Sequence, residues 1–86
     1  MMKNEWLITF RSVTFAQRGE RLLRSNHIVC QMQRTPKHLT ERGCGYCLRL
    51  QGMDVPQAVE IFKREKLSYE KLYATGENGG TEERVL

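Results

Sequence analysis

The cysteines and histidines are the residues of this chain best suited to nucleophilic, redox or metal chemistry. The sequence contains three cysteines and two histidines. Cys44 and Cys47 are separated by two residues, and so are His27 and Cys30. This spacing suits a reversible disulfide or a zinc site, and a single thiolate can also act alone as a nucleophile. An odd number of cysteines does not make a complete disulfide framework, so we expect thiols, redox groups or metal ligands.

Cys44 is the leading candidate for a reactive thiol because it closes a long predicted loop. Residues 34–43 contain Pro36 and other turn-forming residues, and loops carry much of the function of small domains. Gly45 follows, and it leaves space for a partner to reach the sulfur, although it could equally serve the turn into the next strand. We therefore predict a functional centre at Cys44 and Gly45, with a loop cysteine of no function as the alternative.

A thioredoxin-type disulfide between Cys44 and Cys47 fits the sequence less well. In that motif the cysteine pair opens a helix, but Gly52 and Asp54 follow Cys47 too closely for a helix to form. In a strand the two cysteines would lie about 10 Å apart on opposite faces, whereas a disulfide tolerates Cα atoms only within about 7 Å. We predict that Cys47 is a small strand residue, unless Gly45 bends the chain.

A zinc site would need His27 and Cys30 to meet Cys44 and Cys47. The predicted strands place His27 and Cys44 at opposite ends of a hairpin, and neither pair has the glycines typical of a zinc knuckle. We therefore expect no metal, and we interpret Cys30 as a buried, apolar-like residue.

The surrounding elements are predicted from hydrophobic periodicity and capping residues. The order is a strand at 5–10, a helix capped by Ser12 and ending near residue 25, strands at 27–33 and 46–50, a helix capped by Asp54 and ending near residue 66, and a strand at 69–74. This order is typical of a ferredoxin-like βαββαβ fold of the α+β class, a four-stranded antiparallel sheet with two helices on one face. We expect one domain over residues 1–75 and a flexible tail over residues 76–86.

The predicted topology places Cys44 near the start of the first helix. Strand three lies between strands one and two, so its first residue lies at the end of the sheet where strand one leaves for Arg11 and Ser12. The free amide groups of a helix N-terminus stabilise an anion, and Arg11 or Arg42 could add positive charge. Both effects lower a thiol pKa, so we expect Cys44 to be enriched in thiolate.

Length and composition favour a small carrier or binding domain. A chain of 86 residues holds one core and rarely encloses a large substrate pocket. The formal net charge of +4 is a weak indication of acidic partners, because the basic residues are scattered among glutamates. We find no apolar run long enough to cross a membrane and no signal peptide, so we expect a cytoplasmic protein.

The chain resembles the putative selenium/sulfur carrier-like family, a group of small bacterial domains. The resemblance covers about residues 6–73 and rests on Ile8-Thr9-Phe10-x-Ser12, on Pro36 and on Cys44-Gly45-x-x-Leu48-Arg49. It implies a persulfide or selenosulfide carried on Cys44, with Arg49 inside the shared motif as a supporting residue. It implies no cofactor other than the covalently carried sulfur or selenium. The chain departs from the family pattern at residues 41–43, where small residues are usual, and at Cys47, where alanine is common.

Three functional hypotheses follow. The leading one is a carrier that accepts sulfur or selenium from a donor protein and passes it to an acceptor protein, rather than a stand-alone enzyme. The second is a thiol oxidoreductase that uses Cys44 and Cys47. The third is a binding module, a homodimer or an RNA-binding domain with Arg49, Tyr69 or Tyr73 on the open sheet face. We do not expect nucleic acid, because no aromatic-rich RNA-binding motif is present. The choice between sulfur and selenium, the partners and the oligomeric state stay open.

Overall fold

A computed structural model describes residues 5–35, 45–75 and 81–84 of the chain. Its elements are β1 (Glu5–Phe10), α1 (Val13–Ser25), β2 (Cys30–Arg34), β3 (Tyr46–Gln51), α2 (Val55–Arg64), β4 (Leu72–Thr75) and β5 (Thr81–Arg84). A short 3-10 turn over Gly52–Asp54 leads into α2. None of the helices in these ranges has the length and apolar character needed to cross a membrane.

The strands form one antiparallel sheet in the order β2-β3-β1-β4-β5. The first four strands and the two helices are the ferredoxin-like α+β arrangement predicted from the order of elements. As predicted, β3 lies between β1 and β2, with Phe10 opposite Tyr46 and Gln33 opposite Cys47. The C-terminal end of β1 and the N-terminal end of β3 therefore lie at the same end of the sheet.

The fifth strand was not predicted, because Thr81–Arg84 falls inside the segment expected to form a flexible tail. Its sequence is Thr-Glu-Glu-Arg, which has no apolar alternation to indicate a strand. The strand pairs with the edge of β4 through main-chain hydrogen bonds, which need no such pattern. An ion pair of 3.7 Å joins Lys71, the residue before β4, to Glu83 in β5.

One face of the sheet packs against both helices and forms the main core. The core includes Ile8 and Phe10 from β1, Leu48 and Leu50 from β3, Ala16 and Leu23 from α1, and Val59 and Phe62 from α2. Cys47 alternates with Leu48 along β3 and therefore faces away from the helices, as predicted. There it forms a second, small buried cluster with Leu7 and Tyr73.

Both helices end in the same motif, which shifts the following elements from their predicted positions. His27 after α1 and Lys66 after α2 adopt left-handed φ angles of 63° and 58°. The next amides, of Ile28 and Leu67, donate to carbonyls in the last helical turn at 2.9 and 2.8 Å. This is the Schellman arrangement. Because His27 closes the helix, β2 begins at Cys30 instead of residue 27.

Two other expectations need correction. Asp54 lies immediately before α2, as predicted, but its side chain makes no capping hydrogen bond because the 3-10 turn already leads into the helix. The last predicted strand began at Tyr69, whereas β4 begins at Leu72. Tyr69 instead packs on the helix side, with its ring centroid 6.3 Å from that of Phe62.

Candidate thiol site

Cys44 and Arg42 lie outside the described residues, so the site is built from the residues that flank the loop. Thr35 precedes residues 36–44, and Gly45 follows them. The main-chain amide of Thr35 donates a hydrogen bond of 3.0 Å to the carbonyl oxygen of Gly45. This bond continues the β2-β3 ladder by one residue and closes the loop at its base. We call Thr35 and Gly45 the loop base.

The loop base lies beside the start of α1. A Cβ atom placed on Gly45 would lie 3.7 Å from the carbonyl oxygen of Phe10, the last residue of β1. Arg11 and Ser12 follow directly and lead into the helix. The structure therefore brings together three of the predicted site residues, Gly45, Arg11 and Ser12, at one end of the sheet.

The N-terminus of α1 carries a positive potential that no acidic residue of its own first turn offsets. Ser12 caps the helix as predicted, because its Oγ accepts a hydrogen bond of 3.4 Å from the amide of Phe15. No acidic residue occupies the first turn, although helix dipoles favour one there. Arg11 is exposed and adds its guanidinium charge just before the cap. This end of the domain therefore favours an anion.

The backbone conformation at residue 45 explains why a glycine occupies this position. Its φ angle is +156°, which residues with side chains rarely adopt. A Cβ atom would lie 3.5 Å from Thr35 Oγ1, which is an ordinary contact, so the constraint is the backbone rather than space. The sequence left two possible roles for Gly45, namely space for a partner at the sulfur and the turn into β3. The backbone conformation of the turn alone is enough to explain the glycine.

Cys47 is wholly buried in β3 and is poorly suited to be a nucleophile. Burial raises the pKa of its thiol above the usual value. Thr35 and Gln33 would donate hydrogen bonds to the charged thiolate, and Arg49 would attract it, so these three residues oppose the rise. The thiol is protonated near neutral pH and has no access to solvent, which makes it unreactive. The prediction of a small strand residue is confirmed.

Cys30 is also buried, in the main core rather than the second cluster. Burial and the charge of Glu20 raise the pKa of its thiol, whereas Arg24 lowers it by less. Cys30 lies opposite Leu50, three positions along β3 from Cys47, so the two cysteines are about 10 Å apart on opposite faces of the sheet. They cannot form a disulfide with each other. Within the described ranges no three histidine, cysteine or acidic residues cluster as metal ligands.

A family model described as "Putative Se/S carrier protein-like" matches residues 5–74 of the chain, from the start of β1 into β4. The chain belongs to this family. The resemblance inferred from the sequence motifs is thereby confirmed. Neither the curated proteins nor the solved structures gave a match to this chain.

Arg49, the remaining predicted supporting residue, lies away from the loop base. It is four residues along β3 from Gly45, a separation of about 13 Å. Its guanidinium donates a hydrogen bond of 2.6 Å to Gln31 Oε1 and lies 4.0 Å from a carboxylate oxygen of Glu5. These contacts hold Arg49 to its neighbouring strands. The structure does not bring it together with Arg11 and Gly45.

The structure argues against the RNA-binding alternative, because the two tyrosines proposed to stack on bases are packed within the protein. Tyr69 packs against Phe62 on the helix side of the sheet, and Tyr73 is only 7% exposed within the cluster of Leu7 and Cys47. Base stacking needs exposed aromatic faces. Neither tyrosine can provide one in this conformation.

Thr35 is a site residue that the sequence did not reveal. Its side chain is buried, and its Oγ1 has no hydrogen-bond partner within the part of the chain that the structure describes. It lies beside both Gly45 and the Cys47 thiol. Nothing in the sequence around Thr35 indicates this, because its burial and its position beside Gly45 and Cys47 are visible only in three dimensions.

Proposed function

We propose that this protein carries a sulfane sulfur or zero-valent selenium atom on Cys44, as a persulfide or a selenosulfide. The observation that supports this most directly is the position of the loop base beside the N-terminus of α1, since Cys44 adjoins Gly45 in the sequence. The family match agrees with this role. Cys30 and Cys47 are both buried with raised pKa values, which leaves Cys44 as the candidate thiol.

The transfer needs no oxidant or reductant from this protein. The Cys44 thiolate attacks the terminal sulfur of a donor persulfide, the S–S bond of the donor breaks, and a new S–S bond forms at Cys44. The donor cysteine leaves as a thiolate and takes a proton from solvent. Delivery to an acceptor thiolate is the same exchange in the other direction, and a selenium atom follows the same course to give a selenosulfide.

The charge around the site serves this chemistry because both the attacking thiolate and the carried persulfide are anions. The free amides of the first turn of α1 and the guanidinium of Arg11 favour negative charge at this end of the sheet. Arg42 is proposed to contribute from the loop. We place the reaction in the cytoplasm, where thiols stay reduced, with donor and acceptor proteins as the partners.

The direct test is to locate the carried atom. The protein is incubated with a cysteine desulfurase and cysteine, or with inorganic polysulfide, and the adduct is assigned by mass spectrometry and peptide mapping without reductant. We expect a mass increase of one sulfur confined to Cys44, lost in Cys44→Ser and kept in Cys30→Ala and Cys47→Ala. An adduct on Cys47, or equal loading of Cys44→Ser, would refute the proposal. A reversible loss of two hydrogens joining Cys44 to Cys47 would favour the oxidoreductase instead.

A further inference from the structure

The net positive charge of this protein is concentrated in one region. Residues 11–34 hold five arginines and one glutamate, which account for the whole formal net charge of +4. The rest of the sequence holds nine basic and nine acidic residues and is neutral. The five arginines are all exposed, and four of them belong to α1 or directly precede it. The basic residues are spread along the sequence, but their excess over acidic residues lies around one helix.

The outer face of α1 is not neutralised by its own helix. Arg24 pairs with Glu20, one turn earlier, at 3.4 Å. Arg18 and Arg21 have no acidic residue three or four positions away, where a helical ion pair would form. Over the described parts of the chain neither of them has a carboxylate within ion-pair distance. Arg18 instead donates to the carbonyl oxygen of Glu65 at the end of α2, at 3.3 Å.

The residue types on this face are those of protein interfaces. Interfaces are enriched in arginine and aromatic residues and depleted in lysine and glutamate. The 13 residues of α1 include three arginines, no lysine and one glutamate. Its first turn also exposes two large apolar side chains, Val13 at 37% and Phe15 at 39%. By contrast, α2 exposes the mixture of Glu60, Lys63 and Arg64 that is usual for a solvated helix.

We propose that the exposed face of α1, from Val13 and Phe15 to Arg18 and Arg21, is the docking surface for the acidic surface of a sulfur-donor protein. This inference rests on the proposed carrier function, because the surface begins at the helix N-terminus beside the loop base. Opposite charge on the donor steers the encounter, and the apolar side chains of the first turn bury on contact. A partner seated on α1 would also cover the end of the sheet from which Cys44 must react.

The surface suits an acidic protein better than a nucleic acid. Single-stranded nucleic acids are bound by basic grooves with exposed aromatic stacking platforms, and the tyrosines that could form one here are buried or packed in the core. The exposed aromatic residue on α1, Phe15, lies on the helix itself, among apolar and arginine side chains that a protein surface can match.

The test compares a protein donor with a small donor that needs no docking. We would measure the rate of sulfur loading from a cysteine desulfurase with cysteine and from inorganic polysulfide, over a range of salt concentrations. The test variant is Arg18→Glu with Arg21→Glu. The control is Lys63→Glu with Arg64→Glu on α2, which changes the net charge by the same amount. Each double variant removes one exposed polar contact: the test variant removes the bond from Arg18 to the Glu65 carbonyl oxygen, and the control removes the 3.9 Å pair of Arg64 with Glu65.

We expect the α1 variant to load from the desulfurase roughly tenfold more slowly at low salt, with the polysulfide rate unchanged and the control within about twofold of wild type. Wild-type loading from the desulfurase should slow as salt rises, whereas the α1 variant should respond little. Equal loading of the two variants from the desulfurase would overturn the inference. So would tight binding of a single-stranded RNA oligonucleotide that only the α1 variant loses.

The carrier function and the docking surface can fail separately. If neither donor loads Cys44, the carrier proposal fails. The docking surface is then tested separately, by measuring the affinity of each unloaded variant for the desulfurase. Weaker binding of the α1 variant than of the α2 variant would support the surface, and equal binding would overturn it. If both donors load Cys44 and the two variants behave alike, the carrier proposal stands and the docking surface is wrong.

Discussion

The main-chain amide of Thr35 is hydrogen bonded to the carbonyl oxygen of Gly45 at 3.0 Å, and this bond joins the two ends of the loop that contains the candidate thiol. The bond extends the β2-β3 pairing to the two residues that flank segment 36–44, and Gly45 thereby lies beside the N-terminus of α1. The Thr35 hydroxyl is meanwhile buried without a hydrogen-bond partner in the described part of the protein. Thr35 therefore both pairs with Gly45 across the ends of segment 36–44 and carries a buried hydroxyl that no described residue satisfies.

The unpaired hydroxyl of Thr35 gives the first prediction. An unsatisfied buried hydroxyl costs about 1–3 kcal/mol, and valine fills nearly the same volume without it. We therefore expect Thr35→Val to raise the free energy of unfolding by about 1 kcal/mol in urea denaturation at pH 7.

Thr9 is the matched control, because it is also buried and its hydroxyl is fully used. Its Oγ1 donates to the carbonyl oxygen of Lys71 at 3.3 Å and accepts from the amide of the same residue at 3.0 Å. Thr9→Val should lower the free energy of unfolding by about 1–2 kcal/mol. A loss of stability in Thr35→Val as large as that in Thr9→Val would show that the Thr35 hydroxyl does have a partner.

The close approach of α1 to the sheet gives the second prediction. A Cβ atom on Gly19 would lie 3.0 Å from Phe10 Cζ, 3.2 Å from Leu48 Cδ1 and 3.3 Å from Phe62 Cζ. These three side chains are fully buried and have little freedom to move. Gly19→Ala should therefore lower the free energy of unfolding by about 1–3 kcal/mol, despite the better helix propensity of alanine.

Gln17→Ala is the comparison for Gly19→Ala, since it changes helix propensity on the exposed side of the same helix. It should alter the free energy of unfolding by less than about 0.5 kcal/mol. Thermal unfolding followed by circular dichroism measures both variants. If Gly19→Ala were as stable as the wild type, the helix would have to lie further from the sheet than the structure places it.

The fold of this protein could be predicted because its apolar periodicity is clear. Alternation along β3 correctly placed Leu48 and Cys47 on opposite faces. The helical spacing in α1 correctly placed Ala16 and Leu23 on the core face, but it placed Val13 and Phe15 there as well, and both are exposed. The predictions from sequence failed where main-chain conformation and main-chain hydrogen bonds, rather than apolar periodicity, determine the structure. The strand β5 has no apolar pattern, and the left-handed residue after α1 is a histidine rather than the expected glycine, so the start of β2 was placed three residues too early.

The candidate site could be predicted less completely than the fold. The topology predicted that the start of β3 lies at the same end of the sheet as Arg11 and Ser12, because strand order and direction determine which strand ends meet. The structure confirms this for Gly45, while Cys44 itself lies outside the described residues. The distance of Arg49 from the loop base depends on its position along β3. The burial of the Thr35 hydroxyl without a partner among the described residues depends on how the surrounding side chains pack. Neither follows from residue type, so a motif shared with a family could not reveal them.

The two helix ends give the third prediction. A residue other than glycine in the left-handed conformation costs about 1 kcal/mol, and His27 and Lys66 both adopt it. Both are exposed, so their side chains contribute little packing that would be lost. His27→Gly and Lys66→Gly should each raise the free energy of unfolding by about 0.5–1 kcal/mol.

The two glycine substitutions lie at the ends of different helices, so their effects should add in the double variant. Gln17→Gly, in the middle of α1, should instead lower the free energy of unfolding by about 1 kcal/mol. Chemical denaturation of all four variants compares them directly. Destabilisation by glycine at either helix end would contradict the left-handed conformation at that position.

The buried thiols give the last prediction, on pH dependence. The pKa values of Cys30 and Cys47 are raised in the folded protein, so both thiols stay protonated there while the unfolded chain ionises near the ordinary thiol pKa of about 8.5. Their contribution to stability is present below that pH and is lost as the pH rises through the folded-state values.

We therefore expect the free energy of unfolding to fall above about pH 9, and to fall less steeply in Cys47→Ala than in the wild type. Alkylation by iodoacetamide at pH 8, mapped by mass spectrometry, gives an independent readout. The reagent should modify Cys44 rapidly in the native protein and reach Cys30 and Cys47 only in denaturant, because these two are only 5% and 0% exposed. Rapid native alkylation of Cys47 would show that β3 opens to solvent, and Cys47 would then compete with Cys44 for the carried atom.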